Sequence, residues 1–201
     1  MPQSLIFILS TMYNGKKVHA VIPARAGSKR LERKNVRMLL GKPMLAHAIE
    51  ACKKTKYIDE VYVSTEDPTI AEIAKEYGAK VIDRPEELAQ DKVPTQAVMK
   101  HFADVNKEFD IMVDVQANSP QVKPENIDKA IAMLEDKKLW EVICVNSEGL
   151  EHGAFRTATR EVVYWNGLSA HFGVVVDEAI DVHSEEDLKH VEEAMKNGNL
   201  S

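Results

Sequence analysis

The residues best suited to chemistry lie in a short cationic segment behind an apolar run. Residues 24–37 contain six cations and one acid, although the whole chain of 201 residues carries a formal charge of −6. The positive charge is therefore local. Gly27 permits close approach of the backbone, Ser28 can donate a hydrogen bond, and Arg25 and Lys29 supply charge to phosphate oxygens. The pattern predicts a polyphosphate-binding loop.

The position of this loop supports that interpretation. Residues 18–22 have the apolar run of a buried parallel strand, and Pro23 ends it. Open α/β sheets bind ligands at the carboxyl ends of such strands. The chain lacks the motif G-x-x-x-x-G-K-[ST] of ATPase phosphate loops and the motif G-x-G-x-x-G of dinucleotide sites. The sequence therefore does not favour either kind of site. A nucleoside triphosphate that loses pyrophosphate fits better, and the alternative is a solvated surface loop.

Strand and helix patterns alternate along the rest of the chain. This alternation predicts a single-domain, Rossmann-like α/β fold with three layers (α/β/α) and a mainly parallel sheet. A tight turn, or a hairpin, is predicted at Asn166-Gly167. The predicted strands are residues 18–22, 61–63, 80–82, 111–115, 142–145 and 172–176, and the predicted helices follow Pro43, Pro68, Thr95 and Pro124.

Several motifs resemble those of the CMP-sugar synthetases, the cytidylyltransferases that activate acylneuraminate and related sugar acids. The family signature ARxGSKRxxxKN is matched at Ala24, Arg25, Gly27, Ser28, Lys29, Arg30, Lys34 and Asn35. Further similar segments are residues 40–44 (GKP), 61–67, 84–89 (RPxELA), 116–120 (QPTSP) and 181–188 (DIDTPEDL). The similarity runs in order from about Val18 to about Ala194, which is far more specific than one motif. It implies the fold of nucleotide-diphospho-sugar transferases.

The resemblance also implies a reaction and a set of site residues. An anomeric hydroxyl of a 3-deoxy-2-keto sugar acid would attack the α-phosphorus of CTP, and pyrophosphate would leave. By motif matching, the residues expected to bind CTP are Arg25, Ser28, Lys29, Lys34, Asn35, Arg84, Thr95 and Gln116. Arg25, Lys29 and Asp181 are expected to be catalytic. For two of these residues an alternative to CTP binding stays open. Arg84 could instead be a surface residue, and Gln116 could instead hydrogen-bond to backbone groups at a strand end.

The family uses a divalent metal, and Mg²⁺ or Mn²⁺ is the expected cofactor. Its DID motif would place two carboxylates on one side of a strand, whereas this chain has Asp181 and His183. Magnesium prefers oxygen ligands, so Asp181 is the expected ligand and His183 a doubtful one. His183 could instead act as a base, or merely precede a helix whose N-cap is Ser184, with Asp187 completing a capping box.

Composition sets the remaining expectations. Two cysteines, Cys52 and Cys144, favour core positions in a reducing compartment, so a cytoplasmic protein is expected. The acidic balance argues against nucleic acid, and residues 5–9 are too short an apolar run for a membrane helix. We expect residues 1–17 to be an N-terminal extension, with Met12 as the natural start, and residues 18–201 to be the cytidylyltransferase-like domain.

Two departures from the family keep other functions open. After Pro120 the family has an arginine where this chain has Lys123, and the segment between Val145 and Asp181 is shorter than in relatives, where it supplies sugar contacts and a dimer-forming extension. A homodimer is therefore only a candidate assembly. The alternatives are a nucleotidyltransferase of the same fold with another acceptor, such as Kdo or a sugar phosphate, and a degenerate, non-catalytic nucleotide-binding relative.

Overall fold

The computed structural model describes residues 13–28, 30–165 and 169–198. Its strands are β1 (Val18–Pro23), β2 (Met38–Leu39), β3 (Lys42–Pro43), β4 (Glu60–Thr65), β5 (Lys80–Asp83), β6 (Ile111–Val115), β7 (Glu141–Val145), β8 (Glu151–Thr159) and β9 (Phe172–Val176). Its helices are α1 (Met44–Lys54), α2 (Pro68–Glu76), α3 (Thr95–Val105), α4 (Pro124–Asp136) and α5 (Glu185–Lys196).

The described strands form one large sheet in the order β5-β4-β1-β6-β8-β7-β9, and β2 and β3 form a small hairpin. Strand β1 pairs in parallel with β4 and β6, β4 with β5, and β7 with β9. Within the described part of the large sheet, only β8 runs antiparallel to its neighbours, which are β6 and β7. The expected mainly parallel sheet is confirmed.

Helices cover both faces of this sheet. Leu45 of α1, Ile70 of α2 and Ile127 of α4 share one buried cluster with Ile22 of β1. Phe102 of α3 packs on the other face of the sheet. It belongs to a separate cluster that includes Val21, the residue just before Ile22 in β1. Because alternate residues of a strand face opposite sides, an uninterrupted apolar run in β1 serves both layers. This arrangement is the predicted three-layer architecture.

Helix ends follow their local sequence signals. Asp67 caps α2 by accepting a hydrogen bond from Ile70 N at 2.8 Å, and Pro68 occupies the first turn, where a missing N–H costs nothing. Gly78 follows the end of α2 with a φ of 78°, a conformation that glycine adopts without strain. Ser184 and Asp187 form the predicted capping box of α5. Three backbone N–H groups at helix starts, those of Ile70, Ser184 and Asp187, are thus paired.

Two expectations about the second half of the chain need correction. Strand β8, nine residues long, lies between β6 and β7 and was not predicted. Asp181 and His183 do not lie on a strand, since residues 177–183 form neither strand nor helix. The turn at Asn166-Gly167 lies outside the described residues, and the strand that follows it, β9, pairs in parallel with β7 rather than in a hairpin with β8.

The start of the described chain packs against the domain. Within the predicted extension of residues 1–17, residues 1–12 lie outside the described part. The Tyr13 ring lies 4.5 Å from that of Tyr57, and its hydroxyl donates to Asp136 Oδ1 at 3.0 Å. Cys52 and Cys144 are both buried and free, as expected of core cysteines. None of the described helices has the length and apolar character needed to cross a bilayer.

A buried histidine makes the stability of this fold depend on pH. His19 of β1 is 4% exposed, lies between Tyr62 and Phe109, and accepts a hydrogen bond from Asn106 at 3.2 Å. Burial lowers its pKa below the ordinary 6.5, against the opposing charge of Glu60. As the pH falls below 6.5, the unfolded state therefore binds more protons than the folded state, and the free energy of unfolding decreases.

We expect the free energy of unfolding to be lower at about pH 5.5 than at about pH 7.5. The variant His19→Gln should lose part of this dependence, because it removes one titrating group from the core. Urea titrations at both pH values measure the difference, with His190→Gln on the exposed surface of α5 as the control. An unchanged pH dependence in His19→Gln would contradict the assignment.

Candidate active site

The carboxyl ends of four parallel strands meet at one edge of the sheet. From β1 the chain proceeds to β4 and β5 on one side, then returns to β6 on the other side. Such a reversal opens a crevice beside β1, where open α/β sheets hold ligands. Residues 24–35 follow β1 at this edge, Glu66 follows β4, Arg84 follows β5 and Gln116 follows β6.

A cavity of about 230 Å³ occupies this crevice. Six of the eight residues predicted to bind the nucleotide line it: Arg25, Lys34, Asn35, Arg84, Thr95 and Gln116. Ser28 lies in the same loop but is not among the lining residues, and Lys29 falls outside the described part of the chain. Residues separated by up to about ninety positions in the sequence thus converge on one space.

The cationic loop is held in place by hydrogen bonds from both sides. Asn35, 7% exposed, donates from Nδ2 to the Arg25 carbonyl at 2.9 Å. The backbone N–H of Ala26 donates to Glu66 Oε1 at 2.8 Å. The Arg25 guanidinium pairs with Asp91 at 2.6 Å. Asn35 therefore shapes the loop, and Arg25 reaches across the cavity to the segment that precedes α3.

Lys34 carries the electrostatic signature of an anion site. Burial lowers its pKa, the neighbouring Arg30 and Arg25 lower it further, and Asp181 opposes them. The charged ammonium is therefore disfavoured by its surroundings in the free protein. A polyanion in the cavity would reverse that balance, because its charge would offset the repulsion among the three cations.

Arg84 is a buried residue and not a surface one, so the surface alternative is wrong. It is 4% exposed, and its guanidinium donates to both the hydroxyl and the carbonyl of Ser64 at the end of β4. Burial lowers its pKa, and Glu66 opposes that shift. A guanidinium cannot lose its proton in practice, so Arg84 supplies a permanent positive charge at the floor of the cavity.

Gln116 and Asp181 lie beside the same glycine. The Gln116 side chain donates to Asp114 Oδ1 at 3.0 Å, so it serves a carboxylate rather than backbone groups. A Cβ placed on Gly153 of β8 would lie 3.6 Å from Asp181 Oδ2 and 3.9 Å from Gln116 Cγ. The absence of a side chain at Gly153 thus leaves room between an amide and a carboxylate.

The residues around Asp181 show what kind of metal site is available. Ser119 donates its hydroxyl proton to Asp181 Oδ1, and Oδ2 faces Gly153. No group of three or more His, Cys, Asp or Glu side chains suited to a metal occurs among the described residues. This donor set fits a Mg²⁺ that takes most of its ligands from phosphate oxygens and water, and does not fit an ion enclosed by protein.

His183 is already engaged by a cation. Arg30 Nη2 lies 3.1 Å from His183 Nδ1, and because a guanidinium can only donate, Nδ1 is the acceptor and the ring proton is on Nε2. Burial lowers the pKa of His183, as do Lys34 and Arg30. Its backbone N–H donates to Asp187 at 2.9 Å. This arrangement favours the role of a residue leading into α5 over that of a metal ligand or base.

Comparison with known proteins now adds a family. A cytidylyltransferase family model matches residues 19–191, so the chain belongs to the cytidylyltransferase family. The N-acylneuraminate cytidylyltransferase of Escherichia coli O18:K1:H7 is 35% identical over 127 residues, covering 63% of this chain and 30% of that protein. The CMP-N,N'-diacetyllegionaminic acid synthase of Legionella pneumophila is 42% identical over 120 residues, covering 57% and 52% respectively.

A solved structure confirms the fold. The structure of CMP:2-keto-3-deoxy-manno-octonic acid synthetase complexed with CTP superimposes with a TM-score of 0.76 at 20% identity, covering 90% of this chain and 99% of that one. The resemblance to CMP-sugar synthetases predicted from the motifs is confirmed. The aligned part spans about half or less of the length of the two curated relatives.

Several residues that shape the cavity are not among those predicted from the sequence. Glu66 and Asp91 bind the loop, and Gly153 lies beside both Gln116 and Asp181. Asp114 was read only as part of an apolar strand, although an acidic residue inside the run Ile111–Val115 is a signal in itself. The partners of Glu66 and Asp91 come from distant segments, so the sequence carried no comparable sign of them.

The buried position of Arg84 leads to a test of stability. The variant Arg84→Met should reduce the free energy of unfolding by about 1–3 kcal/mol, because the carbonyl of Ser64 loses a charged hydrogen-bond donor. Arg33→Met, at an exposed position of the cationic loop, should change it by less than about 0.5 kcal/mol. Urea titrations measure both, and similar values for the two variants would contradict the structural role of Arg84.

Proposed function

We propose that this chain transfers CMP from CTP to the anomeric hydroxyl of a 3-deoxy-2-keto sugar acid, releasing pyrophosphate. The hydroxyl oxygen forms a bond to the α-phosphorus, and its proton passes to solvent water. The bond from that phosphorus to the bridging oxygen breaks, and its electron pair leaves with pyrophosphate. The family membership, over residues 19–191, supports this class of reaction.

The observation that carries the proposal is the convergence of the predicted residues on one cavity. Arg25 and Lys34 come from the loop after β1, Arg84 from the end of β5, Thr95 from α3 and Gln116 from the end of β6. A solvated charge run would not gather residues from separate elements around a shared space. The lining of the cavity combines cations with an amide and a hydroxyl, which suits a triphosphate joined to a nucleoside.

In this proposal the chain acts by positioning and by charge. Arg25, Lys29 and Lys34 bind the phosphate oxygens and stabilise the negative charge that develops on the departing pyrophosphate. Ser28 and Asn35 contribute polar contacts to the nucleotide, and Asn35 also supports the loop through its hydrogen bond to the Arg25 carbonyl. Arg84, Thr95 and Gln116 hold the cytidine or its ribose, and fix the α-phosphorus relative to the acceptor hydroxyl.

A divalent metal completes the proposed site. Asp181 would hold Mg²⁺, or Mn²⁺, together with triphosphate oxygens. His183 offers no ring lone pair to a metal while Arg30 donates to Nδ1 and the proton is on Nε2. The bound ion supplies positive charge to the phosphates. Ser119 keeps the Asp181 carboxylate in a fixed orientation for this purpose.

The similar proteins act on different sugar acids, so the identity of the acceptor is a separate part of the proposal. The names of the similar proteins refer to N-acylneuraminate, to diacetyllegionaminic acid and to 2-keto-3-deoxy-manno-octonic acid. These acceptors share a carboxylate and an anomeric hydroxyl on the adjacent carbon. We propose a nine-carbon, acylneuraminate-like acid, with the eight-carbon acid as the alternative.

A second candidate is a relative that binds the nucleotide without turning it over. The single carboxylate at Asp181 and the engagement of His183 favour it, because the described residues provide fewer metal ligands than the paired acids of the family motif would. The two candidates share the nucleotide site and differ in turnover.

Pyrophosphate release distinguishes these functions. The protein is incubated with CTP, with magnesium or manganese, and with each of a panel of 2-keto-3-deoxy sugar acids that includes N-acetylneuraminate and Kdo. Release with one acid supports the transferase and names its acceptor. Binding of CTP with no release across the panel supports the non-catalytic candidate, and the absence of CTP binding would contradict both.

The cationic loop provides a second test. Lys29→Ala should lower turnover about 100-fold, because it removes a cation from the leaving phosphates. The free energy of unfolding should remain near that of the unaltered protein. Lys75→Ala on the exposed face of α2 is the matched control and should retain full turnover. Normal turnover by Lys29→Ala would show that this loop does not hold the leaving group.

A further inference from the structure

A chain of polar side chains lies behind Gln116, on the face of the sheet that α3 covers. Asp114 is two positions before Gln116 on the same strand face, and its carboxylate accepts the Gln116 amide hydrogen at 3.0 Å. In the antiparallel pairing of β6 with β8, Asp114 lies directly opposite Arg156. Val21 of β1 is its neighbour in register on the other side. Asp114 is therefore set among an amide, a cation and an apolar strand.

Most of the Arg156 guanidinium is directed away from Asp114. Its Nε donates to Glu141 of β7 at 2.8 Å, and Nη2 contacts the same carboxylate oxygen. Its Nη1 donates to Gln96 Oε1 of α3 at 3.2 Å. Glu141 is 1% exposed and also accepts from Ser169 N at 2.6 Å. Arg156 thus donates its hydrogen bonds to the buried Glu141 and to Gln96. The hydrogen-bond partner of Asp114 is Gln116.

The contact between Asp114 and Gln116 decides which end of the amide faces the cavity. An ionised carboxylate can only accept hydrogen bonds, so it holds the NH₂ group of Gln116 and turns the carbonyl oxygen Oε1 away from itself. Gln116 lines the cavity. An oxygen presented there accepts hydrogen bonds, and it would select a hydroxyl or amino group of the bound molecule over a carbonyl or carboxylate.

We propose that Asp114 is a positioning residue, which orients the Gln116 amide so that Oε1 is presented to a hydroxyl or amino group of the bound nucleotide. This proposal rests on the proposed function. It adds Asp114, a residue that does not contact the substrate, to those that shape the site. It also states that Gln116 accepts, rather than donates, the hydrogen bond to the bound nucleotide. Cytidine has both kinds of donor, on its base and on its ribose.

The proposed orientation depends on pH. Burial raises the pKa of Asp114 to about 7, whereas Arg156 and the hydrogen bond from Gln116 act in the opposite direction. The charged or titratable groups on this face of the neighbouring strands include Arg156 of β8, Glu141 of β7 beyond it, and His19 of β1, which pairs with Met112. From α3, the uncharged Gln96 contacts Arg156. When Asp114 is protonated it can donate to Gln116 Oε1, and the amide is then free to turn its NH₂ group into the cavity.

The test compares CTP affinity in two variants at two pH values. Asp114→Asn removes the charge with little change of shape, and Gln116→Ala removes the amide at the edge of the cavity. Isothermal calorimetry with CTP and a fixed excess of magnesium chloride gives Kd at about pH 8 and about pH 6, which lie on either side of the raised pKa. Since the triphosphate itself titrates near pH 6, only ratios to the unaltered protein at the same pH are compared.

At pH 8 we expect Asp114→Asn to bind CTP roughly fivefold more weakly than the unaltered protein, the effect of one misdirected hydrogen bond. At pH 6 this ratio should approach one, because protonation of Asp114 has the same consequence as the substitution. Gln116→Ala should follow the same course. Asp110→Asn, an identical change just before the same strand, should give a ratio of one at both pH values.

Ratios that are equal at the two pH values in both variants would overturn the proposal, and so would unaltered CTP affinity in Asp114→Asn at pH 8. If Asp114→Asn does not fold, the Gln116→Ala series alone decides, since its side chain lies at the cavity wall. A constant ratio in that series overturns the positioning role while CTP binding still supports the proposed function. Failure of the unaltered protein to bind CTP at either pH overturns both.

Discussion

The parallel pairing of β1 with β4 on one side and with β6 on the other is the constraint on which the remaining structure depends. It buries both faces of β1, so every residue of the strand except Pro23 must be accommodated by packing. It also fixes the loop after Pro23 beside the ends of β4 and β6. A ligand site at this edge is thus a consequence of strand order, and the side chains decide only its chemistry.

The second constraint is electrostatic. Several cations gathered in one loop repel each other, and the fold offsets this repulsion with acids supplied by other segments. Glu66 takes the Ala26 N–H, Asp91 pairs with Arg25, and Asp181 acts on Lys34. The compensation is incomplete at Lys34, whose pKa is lowered first by burial and then by the neighbouring Arg30 and Arg25, against the opposing charge of Asp181. The cavity therefore keeps an excess of positive charge that is partly shielded from solvent. This property distinguishes the loop from a solvated run of basic residues.

Much of the fold could be predicted because its signals are local. The apolar runs of β1 and β6, Pro68 before α2, and Ser184 with Asp187 before α5 each reflect interactions within a few residues, and all are confirmed. Strand β8 escaped prediction because its segment contains Glu151, Gly153 and Arg156 in place of an uninterrupted apolar run, and because its pairing with β6 joins distant parts of the sequence. The burial of Arg84 escaped for a similar reason, since its partner Ser64 lies twenty positions away. Family motifs named the cavity residues, but only the fold shows which side chains hold them in place.

The proposed requirement for a divalent metal bound together with CTP follows from the small number of acidic side chains near Asp181. A site with one well-placed carboxylate cannot satisfy Mg²⁺ by itself, because the ion needs six oxygen ligands in near-octahedral geometry. In the proposed enzyme the phosphates of CTP would carry the missing oxygens, and Arg25 and Lys34 would retain those phosphates near Asp181. In the proposed enzyme the nucleotide and the metal would therefore each strengthen the binding of the other. A protein that depended on a preformed metal centre would need the additional acidic ligands that the described residues around Asp181 do not provide.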